Sequence, residues 1–205
     1  MPKGIFIVLD GLDGSGKSEM AKLLESYISS NYKNFNILVT REPTDGKYGK
    51  EIRNILSSED NPKINGKRLL ELFIKDREDH LKKEIIPFLN KTDKGKNIAI
   101  CDRYYYSTIA FQATQGLDIK MLIEMSWGFL KPDLALILDI KPESALERIK
   151  SRKKEKFEQL GFMKKLRRRF LEMPKLLNDN IKIIDASKSK EEVFEDIRQE
   201  ASKLL

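Results

Sequence analysis

Apolar runs that end on a charged residue and lead through turn residues into a 3.6-residue pattern recur five times along the chain. They are Ile5 to Asp10, Ile37 to Arg41, Ile98 to Asp102, Leu134 to Asp139 and Ile181 to Asp185. Runs that are apolar throughout, with no alternation, suit strands buried on both faces. The alternation with helical segments therefore predicts an α/β fold, a five-stranded parallel sheet with right-handed crossovers and helices on both faces. Polar residues then gather at the carboxyl ends of the strands (Asp10, Arg41-Glu42, Asp102-Arg103, Asp139, Asp185), the edge where open α/β sheets bind ligands. A single charged residue there is often only a helix cap, whereas several on one edge suggest a site.

The turn after the first run specifies that site. Gly11-Leu12-Asp13-Gly14-Ser15-Gly16-Lys17-Ser18 fits G-x-x-x-x-G-K-[ST], and a helical pattern of Met20, Leu23, Leu24, Tyr27 and Ile28 follows. Glycines at 11, 14 and 16 let successive N–H groups face a polyphosphate, Lys17 adds an ammonium, and Ser18 offers a hydroxyl to Mg²⁺. The prediction is a P-loop NTPase fold acting on a nucleoside triphosphate.

Other candidates are less specific alone. Asp102-Arg103 stands where such proteins place a second Mg²⁺-linked acid, although a surface ion pair is the ordinary reading of that dipeptide. One helix is predicted from about Lys67 to Leu89, and in it Phe73, Arg77 and Leu81 share a face. Either Phe73 is core and Arg77 snorkels to solvent, or the pair stacks on a base and donates to it. Arg148 and Arg152 share a face on the helix after the fourth run, suited to closing over a triphosphate. Arg167, Arg168 and Arg169 read as a solvated helix face. Asn90-Lys91-Thr92-Asp93 spells a guanine motif in the wrong context and reads as a helix-to-strand turn; His80 and Trp127 read as structural.

Composition narrows the class. The 205 residues suit one domain, 1–205, and the only cysteine, Cys101, lies within an apolar run and reads as buried and unreactive. No signal peptide precedes the first run and no apolar run nears the roughly 18 residues of a membrane span, so a soluble, cytoplasmic protein is expected. The net charge is +7, yet residues 148–169 alone hold eleven Lys or Arg against two Glu, which leaves the remainder at −2. A short basic flap accounts for the excess, and with the phosphate loop in view a nucleic-acid-binding module is not expected.

Taken together with Thr40-Arg41-Glu42-Pro43, Phe73 through Arg77, Asp102-Arg103-Tyr104, Ser107-Thr108, Gln112, Lys131-Pro132-Asp133-Leu134 and Asp185-Ala186-Ser187-Lys188-Ser189, the chain resembles the thymidylate kinases, which convert dTMP to dTDP. The order and spacing of these motifs along nearly the whole length carry the resemblance. It implies that Gly11, Gly14, Ser15, Gly16, Lys17 and Ser18 hold ATP and Mg²⁺, with Asp102 beside the metal, Arg148 on the donor, and Ala186 bordering the adenine. It implies that Asp13 takes the 3′-hydroxyl of dTMP, with Glu42, Arg53 and Arg103 on the acceptor side. Phe73 would stack on thymine, Arg77 would donate to its O4, and Ser107, Thr108 and Gln112 would line base and sugar. Phe111 would crowd out a 2′-hydroxyl.

Some family members carry an arginine where this chain has Gly14; the missing charge is then expected from Arg148 and Arg152 on a mobile lid of about 148–162. Thr44-Asp45-Gly46 also departs from the family's paired glycines. Lys17, Arg103, Arg148 and Arg152 are the expected catalytic residues, and a homodimer packed through helices is implied. The rival reading is a kinase for another deoxynucleoside monophosphate or for a nucleoside; a guanidinium suits the O4 of thymine better than the amino group of cytosine.

Overall fold

In the computed structural model, residues 3–58, 65–92, 95–149 and 160–205 are described. The five strands are β1 (Ile5–Gly11), β2 (Phe35–Arg41), β3 (Lys96–Asp102), β4 (Leu134–Asp139) and β5 (Ile181–Asp185). All pair in parallel in the order β2-β3-β1-β4-β5. The expected sheet is present, with β2 and β3 starting two residues earlier than the apolar runs, where Phe35 pairs with Lys96 and Asn36 with Asn97.

Burial follows position in the sheet. Ile7, Val8, Leu9, Ile100 and Leu136 on the three inner strands are wholly buried, while the edge strand β5 buries only Ile184 well. Helices α1 (Lys17–Asn31), α2 (Lys47–Ser58), α3 (Gly66–His80), α4 (Ile86–Leu89), α5 (Tyr105–Thr114), α6 (Ile119–Ser126), α7 (Pro142–Ile149), α8 (Leu160–Leu176) and α9 (Lys190–Ser202) surround it. Since β1 lies between β3 and β4, the loops after these three strands meet at one edge.

The helix expected over 67–89 is interrupted. Leu81–Ile85 forms a π-helical turn in which the Ile86 N–H donates to Leu81 O, five residues back, and α4 resumes beyond it. Pro87 supplies the reason: it has no N–H, and its ring would collide with the carbonyl four residues earlier in an unbroken α-helix.

Two glycines are demanded by close approach. A Cβ on Gly14, whose φ is +79°, would lie 2.5 Å from Ala145 O, and one on Gly49 would lie 1.9 Å from Thr44 O. The first contact leaves no room for an arginine at position 14. The second lets α2 press against the loop after β2.

Trp127, read from the sequence as structural, is 71% exposed, and Met121 and Met125 nearby are 38% and 43% exposed, while Leu122 is buried. The reading of Arg167 as solvated is also corrected. Its Nε and Nη2 donate to the two carboxylate oxygens of Asp139 at 2.6 and 2.8 Å, tying α8 to the end of β4, and of the three only Arg168 is exposed. Arg152 and most of the expected lid lie outside the described residues.

Candidate functional site

Two cavities, of about 390 and 440 Å³, meet at the carboxyl edge of the sheet. Asp13, Gly14, Ser18 and Arg103 line both. The larger is bounded by the phosphate loop, Arg148, Ala186 and Lys188. The smaller runs from Ser107 and Phe111 on α5 past Glu42, Arg53 and Phe73, and Phe162 on α8 roofs it, meeting Phe111 edge to face at 5.3 Å.

The loop residues follow the expected geometry. Gly11, Gly14 and Gly16 have φ of +135°, +79° and +96°, values that let the amides turn inward. Lys17 is buried, and its ammonium donates to Gly11 O at 3.1 Å and Leu12 O at 2.8 Å. Burial, then the charge of Arg103, lowers its pKa to about 8, against the pull of Asp13, Asp102 and Asp10. The Ser15 hydroxyl is buried without a hydrogen-bond partner. A phosphate oxygen would satisfy it and give the ammonium a better acceptor than the two carbonyls.

Ser18 Oγ donates to Asp102 Oδ2, and Asp102 Oδ1 is buried with no hydrogen-bond partner. An orphaned carboxylate oxygen next to a hydroxyl fits a hydrated divalent cation, whose water would donate to it. Among the described residues there is no cluster of three or more His, Cys, Asp or Glu that could hold a metal ion. A single hydroxyl beside a single carboxylate fits Mg²⁺, an ion that keeps several waters and is bound through one or two carboxylates together with substrate phosphates.

Arg103 stands between the cavities in a left-handed conformation, φ +72°, and donates through Nη2 to Asp13. Burial opposes its charge, but Asp13, Asp102 and Asp10 together outweigh burial and raise its pKa. Asp10, which the motifs did not single out, fixes this corner. Its wholly buried carboxylate accepts from the N–H groups of Gly11 (2.8 Å), Tyr104 (3.1 Å) and Ser107 (2.9 Å), and from Ser107 Oγ (2.6 Å). Burial raises its pKa, and Arg103 leads the opposing influences.

The acceptor-side residues divide. Glu42, Arg53, Phe73, Arg103, Ser107 and Phe111 line the smaller cavity, whereas Arg77, Thr108 and Gln112, expected at the base and sugar, are buried and do not line it, because their polar groups are taken up by neighbouring protein atoms. Arg77 is 1% exposed; its Nε and Nη2 donate to Glu42 Oε2 at 2.9 and 2.6 Å, and Nη2 also to Thr108 Oγ1 at 2.9 Å. With its amide oriented to satisfy both ends, Gln112 donates to Gly66 O at 3.2 Å and accepts from the Leu70 N–H at 3.3 Å.

The loop that departs from paired glycines is pinned instead by side chains. Buried Asp76 accepts from the Thr44 N–H (2.7 Å) and hydroxyl (2.6 Å), while Arg53 donates to Pro43 O and Thr44 O at 2.9 and 2.8 Å. Asp76 carried no motif signal beyond its place beside Arg77.

On the donor side Arg148 Nη2 donates to Ala186 O at 3.2 Å, and the Ala186 N–H donates to Asp139 O at 2.8 Å. Cys101 is buried with its thiol against Arg103 O, and burial pushes its pKa well up, as an unreactive core residue requires. Asn90 and Lys91 close the end of α4 as a turn.

The thymidylate kinase family model matches residues 9–197. A probable thymidylate kinase of Pyrococcus horikoshii is 39% identical over 200 residues, covering 95% of this chain and 94% of its own. One from Archaeoglobus fulgidus is 37% identical (95% and 93% covered), and a thymidylate kinase of Clostridium novyi is 34% identical (97% and 98% covered).

Proposed function

The chain belongs to the thymidylate kinase family, and we infer that it converts dTMP to dTDP by direct transfer of the γ-phosphoryl group of ATP. The observation that carries this reading is the junction: two cavities share Asp13, Gly14, Ser18 and Arg103, so that a donor and an acceptor lying in them meet end to end.

The donor lies along the loop, its phosphates on the inward amides, Ser15 Oγ and Lys17, with Arg148 and Ala186 toward the base. Ser18 and Asp102 would hold Mg²⁺, which would neutralise the phosphates and draw charge from the transferring group. The acceptor lies with its base against Phe73, its sugar between Asp13 and Phe111, and its phosphate on Arg53 and Arg103. Arg103 then reaches both phosphates and stabilises charge that spreads over the equatorial oxygens during transfer.

No general base is required, because the acceptor is already an anion. The chain's work is to orient, to neutralise and to keep water out. Gly14 has no room for a side chain, and Arg148 beside Ala186 brings positive charge to the donor cavity, to which we propose that Arg152 adds. Among the described residues no helix is long and apolar enough to cross a membrane. We further propose a homodimer that covers Met121, Met125 and Trp127 on and after α6, which sedimentation of the wild type and of Trp127→Ser compares directly.

A coupled assay of ADP release with ATP and Mg²⁺ across dTMP, dUMP, dCMP, dAMP and dGMP tests substrate and class together. Turnover is expected to be fastest with dTMP. Faster turnover with any other base, or none with all five, overturns the reading.

A further inference from the structure

We propose that His80 is a positioning residue for recognition of the acceptor base, holding Glu42, which lines the cavity, so that Glu42 and the buried Arg77 guanidinium bonded to it keep one orientation. The proposal rests on the reading of the smaller cavity as the dTMP site.

Arg77 sits between the rings of Tyr104 and Phe129, at 5.1 and 5.2 Å, and both donors it directs at Glu42 fall on the single oxygen Oε2. A carboxylate gripped at one oxygen can still pivot about its own axis, and the guanidinium would turn with it. The other oxygen, Oε1, is held by His80 Nδ1 at 3.2 Å. Residues 77 and 80 are three apart on α3, so both reach Glu42 from one helix face.

The imidazole is itself anchored. His80 is 3% exposed, and its Nε2 lies 2.8 Å from Thr40 Oγ1 and 3.1 Å from Glu84 Oε2. Thr40 and Glu42 are two apart where β2 ends, and the π-helical turn carries Glu84 against the ring. Because Glu42 Oε1 only accepts, Nδ1 bears a proton. A side chain present only to fill space has no need of partners at both ring nitrogens, one of them a carboxylate that lines the cavity.

With Nε and Nη2 committed, Nη1 is the edge of Arg77 left to a base carbonyl, and its direction depends on Glu42. This cluster stands at the base end, whereas Lys17 and Arg103 stand at the transferring phosphate. Loss of the His80 contact is therefore expected to weaken acceptor binding more than the chemical step.

The test compares His80→Asn with His80→Gln in the whole chain. Asparagine carries its amide nitrogen as many bonds from the backbone as Nδ1 and keeps the donor to Glu42. Glutamine carries it at the position of Nε2 and keeps only the Thr40 side. For His80→Gln, KM for dTMP is expected to rise about tenfold, the size of one lost hydrogen bond to a charged group, with kcat and KM for ATP within about twofold. His80→Asn should recover most of that rise.

Equal rises in both variants, or losses of kcat and thermal midpoint that move together in both, would reduce His80 to packing and overturn the proposal. A wild type that binds ATP but releases no ADP with dTMP removes the underlying reading instead, and the proposal falls with it. The two failures are distinguished by which arm shows them.

Discussion

The hydroxyl of Ser18, on the first turn of α1, donates to one oxygen of Asp102 at the end of β3, and the other oxygen of that carboxylate is buried with no hydrogen-bond partner. Adjacent strands β1 and β3 bring these two together from 84 residues apart. The pair fits a hydrated cation, which we propose arrives with the donor.

Asp102→Asn keeps the shape but removes the charge that would hold the cation's water. The Mg²⁺ concentration for half-maximal rate should rise by about 10–100-fold, the range for losing an outer partner of a metal. Titration of the rate with Mg²⁺ at saturating ATP and dTMP measures it, and an unchanged midpoint would separate Asp102 from the metal.

Lys17 gives the site a pH dependence. Its pKa is lowered to about 8 by burial and by Arg103, so near pH 8 the nucleotide-free enzyme carries this ammonium only part of the time. A triphosphate favours the charged form and raises the pKa. Binding therefore takes up a proton, and affinity falls as pH rises through 8. Calorimetry of ATP binding at pH 8 in two buffers of different ionisation enthalpy should report uptake of about half a proton, lost in Lys17→Met. Equal heats in both buffers would contradict this.

Asp10→Asn tests the corner beneath Arg103. An amide placed there turns an N–H₂ toward either the Tyr104 and Ser107 N–H groups or the Gly11 N–H, donor against donor. The cost is about 2–4 kcal/mol, and the thermal midpoint should fall by about 5–12 °C. A midpoint unchanged by the substitution would show that the four hydrogen bonds are not what fixes the loop.

Arg152→Ala examines the charge that Gly14 cannot supply. Turnover is expected to fall about 10³-fold, as for arginine fingers, with KM for dTMP within about threefold. Normal turnover would place that charge elsewhere.

The sheet was legible because its inner strands are apolar on both faces and each stops at a charged residue, a pattern that survives without knowledge of neighbours. The phosphate loop was legible because its mechanism is local: glycines, a lysine and a serine within eight positions. What escaped depends on contacts between distant segments. Asp10 looked like an ordinary strand-end acid, and its partners at Tyr104 and Ser107 adjoin it only because β1 pairs with β3. His80 had no motif around it, and its partners Thr40 and Glu42 come from the end of β2, distant in sequence. Arg167 was hidden in a run of three arginines, where nothing local tells which one turns toward Asp139. Arg77 was singled out by its place in an apolar stripe, but the stripe could not say that Glu42 and Thr108 hold it buried. Pro87 was in plain view, and its consequence, the π-helical turn, was obscured by an apolar period that continues through it.

The central claim is that two nucleotides meet end to end across Asp13, Gly14, Ser18 and Arg103, and the most direct measurement uses one molecule that spans both cavities. Adenosine and thymidine joined through a chain of five phosphates should bind, by titration calorimetry, at least about 100-fold more tightly than ATP or dTMP alone, because the second half binds intramolecularly. A dissociation constant no lower than that of the better single nucleotide would mean that the cavities do not hold donor and acceptor in line.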